Sequence, residues 1–143
     1  GPAMTDTDAI TAARATVAAY LDRSMAGDAD GARAFLAPGC EIVFTGGRRM
    51  DGPEGPPAFN ARRYAWVRKR PARMDAAPDP DTGAIHVWAT GHLYGAWPDG
   101  TEFDGNRYVD FFAVRDGLIL RTEVWNDSAE WLLARAGLAE APL

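Results

Sequence analysis

An aromatic hydroxyl and an isolated carboxyl group are the first side chains in this sequence that could do chemistry together. Tyr20 lies on the apolar face of a predicted helix, and Asp110 lies between Val109 and Phe111 on an apolar predicted strand. Burial disfavours the charged form of a carboxyl group, so we expect a raised pKa for Asp110 and a neutral acid that can donate a hydrogen bond. The alternatives are a tyrosine that only packs in the core and an aspartate bonded to a neighbouring tyrosine or backbone amide.

A third residue, Glu123, is the candidate for moving a proton, because a carboxylate can act as a base at neutral pH. Side chains alternate between the two faces of a strand, which places Glu123 on the same face as Arg121. The opposite face, with Thr122 and Val124, is the better core side, so a β-bulge would be needed to turn Glu123 inward. The alternative is a surface carboxylate paired with Arg121 or Arg107.

The predicted strand 85–97 has one polar and aromatic face, which includes His92, and one small apolar face. His92 could line a pocket and shuttle protons, because imidazole titrates near neutral pH. The same face could instead be an outer surface that meets a second subunit. The sequence has 2 histidines and no cysteine or histidine companion at ligand spacing, so no metal site is expected.

Motifs for other kinds of chemistry are missing from the sequence. It has no Gly-x-Ser-x-Gly nucleophile motif, and Cys40 has no adjacent histidine. It has no dinucleotide fingerprint, and the segment GPEGPP (52–57) has prolines where a phosphate-binding loop needs backbone amides. We therefore predict chemistry without a cofactor.

Composition and charge indicate one ordinary globular domain, predicted at 5–140. The chain has 143 residues, of which 47% are hydrophobic and 24% charged, with a net charge of −5. This acidic balance argues against nucleic-acid binding, and the basic run 62–73 is interpreted as a solvated helix face or, alternatively, as a binder of an anionic ligand. A single cysteine, no signal sequence and no long apolar span predict a cytoplasmic protein without a membrane segment. Residues 1–4 resemble an expression-tag remnant.

Helical periodicity precedes strand periodicity along the chain. A first helix is predicted at 7–26, capped by Asp6 or Asp8 and ended by Gly27. Further helices are predicted at 31–36 (capped by Asp30), 59–69 and 127–138. Strands are predicted at 40–45, 72–77, 85–97, 101–114 and 118–125, with a loop at 46–58. This order predicts an α+β fold, with a curved antiparallel sheet wrapped around the N-terminal helices and a cavity at its open end.

Two segments resemble the ketosteroid-isomerase-like proteins of the nuclear-transport-factor-2-like superfamily. They are YLDRSMAGDADGARAFLAPGCEIVF (20–44) and NRYVDFFAVRDGLI (106–119), and their order fits the superfamily over the whole of 7–138. The resemblance implies a cone with one internal pocket, in which Tyr20 and Asp110 together hydrogen-bond a substrate oxyanion. It also implies a homodimer formed through the outer sheet face.

Within this superfamily, segment 95–138 looks most like the phenazine-biosynthesis A/B subgroup. That resemblance carries the subgroup's acid/base glutamate over to Glu123, in the step Glu-Val-Trp-Asn that ends at Asn126. The SnoaL-type polyketide cyclases, which are also similar, use a strand aspartate as acid/base that matches Asp110. The subgroup's histidine on the third helix has no counterpart here; Arg62 lies near its position.

These observations predict a cofactor-free acid/base enzyme, an isomerase, cyclase or dehydratase, that acts on a hydrophobic cyclic small molecule in secondary-metabolite biosynthesis. Tyr20 and Asp110 would stabilise negative charge on a substrate oxygen, and Glu123 would move the proton. The residues predicted to bind the substrate are Phe44, Arg62, Trp66, His92, Tyr108, Trp125 and Asn126.

The alternative is a non-catalytic protein of the same fold that binds a small molecule or serves as a scaffold. It is favoured by Phe44, which stands where ketosteroid-isomerase-like proteins have their catalytic aspartate, and by the missing helix histidine. Two or more carboxyl or histidine groups converging on one cavity would support the enzyme. A wholly apolar cavity would support the binding protein.

Overall fold

A computed structural model describes residues 5–142, so the predicted tag remnant at 1–4 lies outside the described residues. The helices are α1 (Asp6–Met25), α2 (Ala29–Arg33), α3 (Gly55–Arg63) and α4 (Ser128–Arg135). The strands are β1 (Leu36–Phe44), β2 (Arg48–Met50), β3 (Trp66–Pro78), β4 (Ile85–Ala96), β5 (Glu102–Arg115) and β6 (Leu118–Asn126). The predicted α+β architecture, with helices first and a curved, unclosed sheet, is confirmed.

The six strands form one sheet in the order β2-β1-β6-β5-β4-β3. Neighbouring strands are antiparallel except for β1 and β6, which run parallel, with Ile42 opposite Thr122. The long strands β3 to β5 have 12 to 14 residues each and make the curved wall on which the helices pack. The two edge strands are therefore β2 and β3.

Helix α1 packs against the concave face of this sheet through its apolar side. Ala13, Val17 and Tyr20 are its buried residues, as the three- and four-residue spacing predicts. The cap is Thr5 rather than Asp6 or Asp8, because the Thr5 hydroxyl accepts a hydrogen bond of 3.1 Å from the backbone N–H of Asp8. The buried residues of α1 belong to one core cluster with β4, β5 and β6.

The start of the second helix also differs from the prediction by a few residues. Helix α2 begins at Ala29, and its cap is Asp28, whose carboxylate accepts a 2.9 Å hydrogen bond from the backbone N–H of Gly31. Gly27 has a φ of 73°, as expected for a glycine that follows a helix. The Pro38–Gly39 pair lies within β1, where the pairing with β6 shifts its register between Leu36 and Glu41.

The segment between β1 and β4 is where the predicted elements are wrong. The predicted loop 46–58 contains strand β2 and the start of helix α3, which has prolines in its first turn, where no backbone N–H donor is needed. The predicted helix 59–69 ends at Arg63, and strand β3 follows. Pro71 is tolerated within β3 because this strand lies at the sheet edge and its register shifts between Pro71 and Arg73.

Two clusters of buried hydrophobic residues hold the helices and the sheet together. One cluster lies under α1, and a second, smaller cluster contains Tyr64, Leu93, Trp97, Phe103 and Tyr108. The rings of Trp97 and Phe103 are stacked, with centroids 4.4 Å apart. Within residues 5–142, no helix combines the length and the apolar character needed to cross a lipid bilayer.

Candidate functional site

A cavity of about 340 Å³ lies between α1, α3 and the concave face of the sheet. Its size is in the range of pockets that hold small organic molecules. The apolar part of its lining includes Leu21, Met25, Ile42, Phe44, Pro53, Pro56, Leu93, Phe112 and Val124. The polar part includes Tyr20, Ser24, Asn60, Tyr64, Lys69, Tyr108, Asp110, Thr122 and Asn126.

Asp110 is the carboxylate of this cavity, and it is paired with a lysine. Its side chain is 3% exposed, and its Oδ2 atom accepts a hydrogen bond from the ammonium of Lys69, whose side chain is 22% exposed. This contact with a cation was not predicted from the sequence.

The second carboxylate oxygen of Asp110 is free. Among the described residues, Oδ1 is fully buried and has no hydrogen-bond partner. A buried polar atom without a partner costs free energy, and Asp110 is a residue of the cavity lining, so the unpaired oxygen indicates a place for a ligand group or a water molecule. Asp110 can thus accept a hydrogen bond or a proton while it stays bound to Lys69.

Glycine in the middle of β4 allows Lys69 and Asp110 to meet. Lys69 lies on β3 and Asp110 on β5, with β4 between them. At Gly91, an added Cβ would lie 2.2 Å from the backbone oxygen of Arg70 and 2.8 Å from the hydroxyl oxygen of Tyr108. A side chain at this position would therefore displace the tyrosine ring, over which the Lys69 ammonium lies at 4.7 Å from the centroid.

Two tyrosines of the cavity keep their protons at neutral pH. Burial raises the pKa of Tyr20; the nearby Ser24 hydroxyl opposes this shift, and the charge of Asp110 adds a small part to it. Burial also raises the pKa of Tyr108 to about 12, with a further contribution from the charge of Asp110. Both phenols are therefore hydrogen-bond donors.

A buried polar network forms the wall of the cavity nearest α4. The hydroxyl groups of Tyr64 and Ser128 share a hydrogen bond, and the Asn106 amide donates to the Ser128 oxygen at 2.8 Å. The Asn126 side chain accepts a 3.1 Å hydrogen bond from the backbone N–H of Ser128. Burial is the main cause of the raised pKa of Tyr64. The network fixes Tyr64 and Asn126, two cavity residues, to the start of α4.

Six of the residues predicted to form the site border this cavity. They are Tyr20, Phe44, Trp66, Tyr108, Asp110 and Asn126. Phe44 packs edge-on against Phe59 of α3, with ring centroids 5.2 Å apart. Trp66 borders the cavity at the start of β3, while its ring packs edge-on against Tyr94 at 5.8 Å.

Glu123 does not lie in the cavity, so its predicted catalytic position is wrong. Its neighbours Thr122 and Val124 line the cavity, and Glu123 lies on the other face, where it accepts a hydrogen bond from Arg121 at 3.0 Å. The pairing of β5 with β6 is continuous from Asn126 to Arg121, so no bulge turns Glu123 inward. The alternative prediction, a surface carboxylate paired with Arg121, is correct.

Three predicted substrate-binding residues also lie outside the cavity. Arg62 is exposed near the end of α3, because that helix begins four residues earlier than predicted and presents other side chains to the cavity. His92 and Trp125 lie on the convex face of the sheet, in a shallow depression with Arg107 and Asp127. The alternation along β4 and β6 explains this placement, because their inward neighbours Leu93 and Val124 line the cavity.

Lys69 is the cavity residue that the sequence did not lead us to expect. It was predicted to lie on a solvated helix, whereas the structure places it on β3 with its ammonium on Asp110. One signal could have identified it: Lys69 is the only lysine among the 15 lysine and arginine residues of the chain. Within residues 5–142, no group of three or more histidine, cysteine, aspartate or glutamate side chains is arranged to hold a metal ion.

Comparisons with known proteins agree with this fold. The family described as SnoaL-like domain matches residues 17–122. No curated protein matches the sequence. Among solved structures, an NTF2-like protein of unknown function from Burkholderia pseudomallei K96243 is 18% identical, with 91% of this chain and 98% of that chain covered and a TM-score of 0.69.

Two further solved structures show the same fold at similar distance. A candidate SnoaL-like polyketide cyclase from Jannaschia sp. CCS1 is 22% identical, with 100% of both chains covered and a TM-score of 0.67. TerC, co-crystallised with polyporic acid, is 19% identical, with 85% of this chain and 95% of that chain covered and a TM-score of 0.66. At these identities the likeness extends to the fold alone.

Proposed function

Because this chain belongs to the family of SnoaL-like domains, we propose that it is an enzyme that moves protons on a hydrophobic cyclic ketone with its own side chains. The observation that carries this proposal is the buried Oδ1 atom of Asp110, which has no partner among the described residues and belongs to a residue of the cavity wall. A carboxylate oxygen in this situation is suited to act as a general base.

The first step is the removal of a proton from the carbon next to the substrate carbonyl. The C–H bond breaks and the proton binds to Oδ1 of Asp110. The C–H electron pair becomes the C=C bond of the enolate, and the π pair of the carbonyl moves to its oxygen. Tyr20 and Tyr108, which remain protonated, can donate hydrogen bonds to that oxygen. Donors of this kind contribute roughly 3–4 kcal/mol each to the stabilisation of an oxyanion in other enzymes.

The fate of the enolate decides the overall reaction. Return of the proton from Asp110 to a different carbon gives an isomerisation. Attack of the enolate carbon on a second carbonyl of the same molecule gives a cyclisation, in which the new alkoxide takes the proton from Asp110. Loss of a neighbouring hydroxyl, which takes the proton from Asp110 and leaves as water, gives a dehydration. A role in secondary-metabolite biosynthesis agrees with each of these reactions. Phenazine chemistry is not proposed, because its glutamate corresponds to Glu123 on the outer face.

The alternative role, a non-catalytic binding protein, predicts a wholly apolar cavity. The cavity instead contains the Lys69–Asp110 pair and three tyrosines among its lining residues. Asp110 is the one carboxyl group among the described residues of the lining, which has no histidine, so the convergence of two such groups expected for an enzyme is not found. The polar lining is the observation that favours the catalytic proposal over a binding protein.

Hydrogen–deuterium exchange tests the proposal without knowledge of the final product. Cyclic ketones of two or three rings are incubated with the protein in D2O, and loss of the α-hydrogen signal is followed by proton NMR. We expect Asp110→Asn to lower the exchange rate at least a hundredfold. Asp75→Asn, which makes the same change on the convex face beside Arg73, serves as control. Equal rates for wild type and Asp110→Asn would refute the proposal, and no exchange with any ketone would support the binding role.

We also propose that two copies of the chain associate through the convex face of the sheet. Trp88 on β4 lies opposite Phe111 on β5, and Val109 on β5 lies opposite Trp125 on β6. Trp125 is 53% exposed, so this patch presents aromatic surface to solvent.

Charges on either side of this aromatic patch are suited to a two-fold symmetric contact. An ion pair between Arg73 and Asp75 lies on one side, and an ion pair between Arg121 and Glu123 lies on the other. Light scattering during size exclusion should give twice the chain mass, and Trp88→Glu should give the mass of one chain. A wild-type protein with the mass of one chain at high concentration would contradict this proposal.

A further inference from the structure

The ammonium of Lys69 has hydrogen-bonding capacity beyond its contact with Asp110. An ammonium group has three N–H donors, and the described residues provide Lys69 with one charged partner, the Oδ2 atom of Asp110. Its side chain borders the cavity and is partly exposed. One or two N–H donors are therefore available to a ligand.

The chemical choice of lysine is informative in this chain. Lys69 is the only lysine among the 15 lysine and arginine residues, and many of the arginines form ion pairs at the surface. A guanidinium is broad and planar, whereas an ammonium is a compact point charge with three rotatable donors. At this position the cavity thus has a compact cation with donors for both Asp110 and a ligand oxygen.

Lys69 and Asp110 together present a donor next to an acceptor. Oδ1 of Asp110 lacks a partner and accepts, while Nζ of Lys69 donates. The two groups have opposite charges, so the pair as a whole is electrically neutral. When the proton moves to Oδ1, the carboxylate loses its charge and the ammonium is left to face the new oxyanion.

We propose that Lys69 is a catalytic residue whose ammonium binds the substrate oxygen that becomes the enolate, and that the substrates are ring ketones with an acidic C–H beside this oxygen. The inference rests on the proposed function, with Asp110 as the base. The electron pair of the broken C–H bond forms the C=C bond of the enolate, the carbonyl π pair moves to the oxygen, and the proton moves to Oδ1. Lys69 donates a hydrogen bond to that oxygen and transfers no proton. Tyr108, whose ring lies under the ammonium, keeps the lysine side chain over the cavity.

The test uses 2-naphthol, a phenol that imitates the enol of a ring ketone and has a distinct absorption band when ionised. The apparent pKa of bound 2-naphthol is measured from this band in wild type and variants. In wild type we expect 2-naphthol to be at least tenfold more ionised than in free solution at the same pH, because an ammonium favours a neighbouring anion. In Lys69→Met this preference should disappear, since Asp110 alone disfavours a second negative charge.

Two further variants make the result specific. Arg73→Met removes a positive charge from the convex face and should leave the ionisation of bound 2-naphthol as in wild type. Asp110→Asn should increase the ionised fraction above wild type, because it removes a negative charge next to Lys69. Equal ionisation in wild type and Lys69→Met would overturn the inference.

The single lysine provides a second measurement if Lys69→Met fails to fold. With 15N-labelled lysine, the wild-type protein gives one side-chain Nζ signal, which should shift when 2-naphthol is added. An unchanged Nζ signal at a 2-naphthol concentration that quenches tryptophan fluorescence would overturn the inference. Neither measurement depends on turnover, so the proposed function can fail in the exchange assay while Lys69 still binds the anion, and the reverse can also occur.

Discussion

The ammonium of Lys69 on β3 contacts the carboxylate of Asp110 on β5 across the intervening strand β4. The pair joins two strands that share no backbone hydrogen bonds, and it lies where the cavity meets the sheet. The packing of the sheet and the proposed chemistry therefore involve the same two side chains.

Loss of the lysine alone should be costly to the fold. In Lys69→Met the Asp110 carboxylate stays buried without a counter-charge, and removal of one partner of a buried pair costs about 3–5 kcal/mol of unfolding free energy. The double variant Lys69→Met/Asp110→Leu should recover most of this loss, because the buried charge is then gone. Urea unfolding at pH 7 measures both. A single variant as stable as wild type would show that solvent reaches the carboxylate.

Glu123→Gln should leave proton exchange on ketone substrates within about twofold of wild type. The Glu123 side chain lies on the convex face and contacts Arg121, away from Asp110 and the cavity. Rates in D2O, compared with those of Asp110→Asn, provide the measurement. A tenfold loss in Glu123→Gln would mean that the convex face takes part in the reaction.

Gly91→Ala should destabilise the sheet by about 1–3 kcal/mol or more, the usual cost of overpacking. Its methyl group would lie 2.2 Å from the Arg70 backbone oxygen, which cannot move without opening the pairing of β3 with β4. The neighbouring variant Thr90→Ala, on the opposite face, should have a smaller effect. Thermal unfolding of both proteins gives the comparison, and equal melting temperatures would contradict the close approach of the strands.

Tyr108 should contribute to the loss of stability at alkaline pH. Its pKa is raised from 10.0 to about 12, so the unfolded chain loses this proton first, and the free energy of unfolding falls as pH rises from 10 towards 12. The contribution is fully present below pH 10 and is lost as pH rises to about 12. Tyr108→Phe should therefore lose less stability than wild type between pH 9 and pH 11, as measured by urea unfolding. Parallel pH profiles would contradict the assignment.

Cys40 should react slowly with thiol reagents in the folded protein. Burial, with a smaller contribution from the charge of Glu41, raises its pKa to about 11, so roughly 0.1% of the thiol is ionised at pH 8. It is the only cysteine, so Ellman's reagent reports on this site alone. We expect the rate to rise at least tenfold in urea. A fast reaction of the native protein would show that β1 opens readily.

Local patterns in the sequence were sufficient for α1 and for β4 to β6. The spacing of Ala13, Val17 and Tyr20 marks one helical face, and alternation along β5 places Tyr108, Asp110 and Phe112 on one side. Each of these patterns depends on the residues of one helix or one strand, so it can be recognised without knowing which elements pack against it. For the same reason Tyr20 and Asp110 could be assigned to one cavity once the fold was expected.

The segment from Gly55 to Pro78 could not be predicted in this way. Its apolar residues fit a helix at 59–69, but the chain forms α3 earlier and an edge strand later, because β3 pairs with β4 over 12 residue positions. A pairing between strands depends on both partners, which no local window contains. The Lys69–Asp110 contact was missed for the same reason, since it joins residues that are 41 positions apart.

Strand β1 has a consequence for the order in which the fold can form. It pairs with β6, which is distant in the sequence, so that Leu36 lies opposite Ile119. The strands β3 to β6, by contrast, each pair with the strand before or after them in the chain. Closing so large a loop costs chain entropy before any contact compensates for it, which slows folding in proteins dominated by distant pairings. The hairpins of β3 to β6 can assemble early, and the docking of β1 then completes the wall behind the cavity. During synthesis, β6 must therefore leave the ribosome before β1 can pair with it.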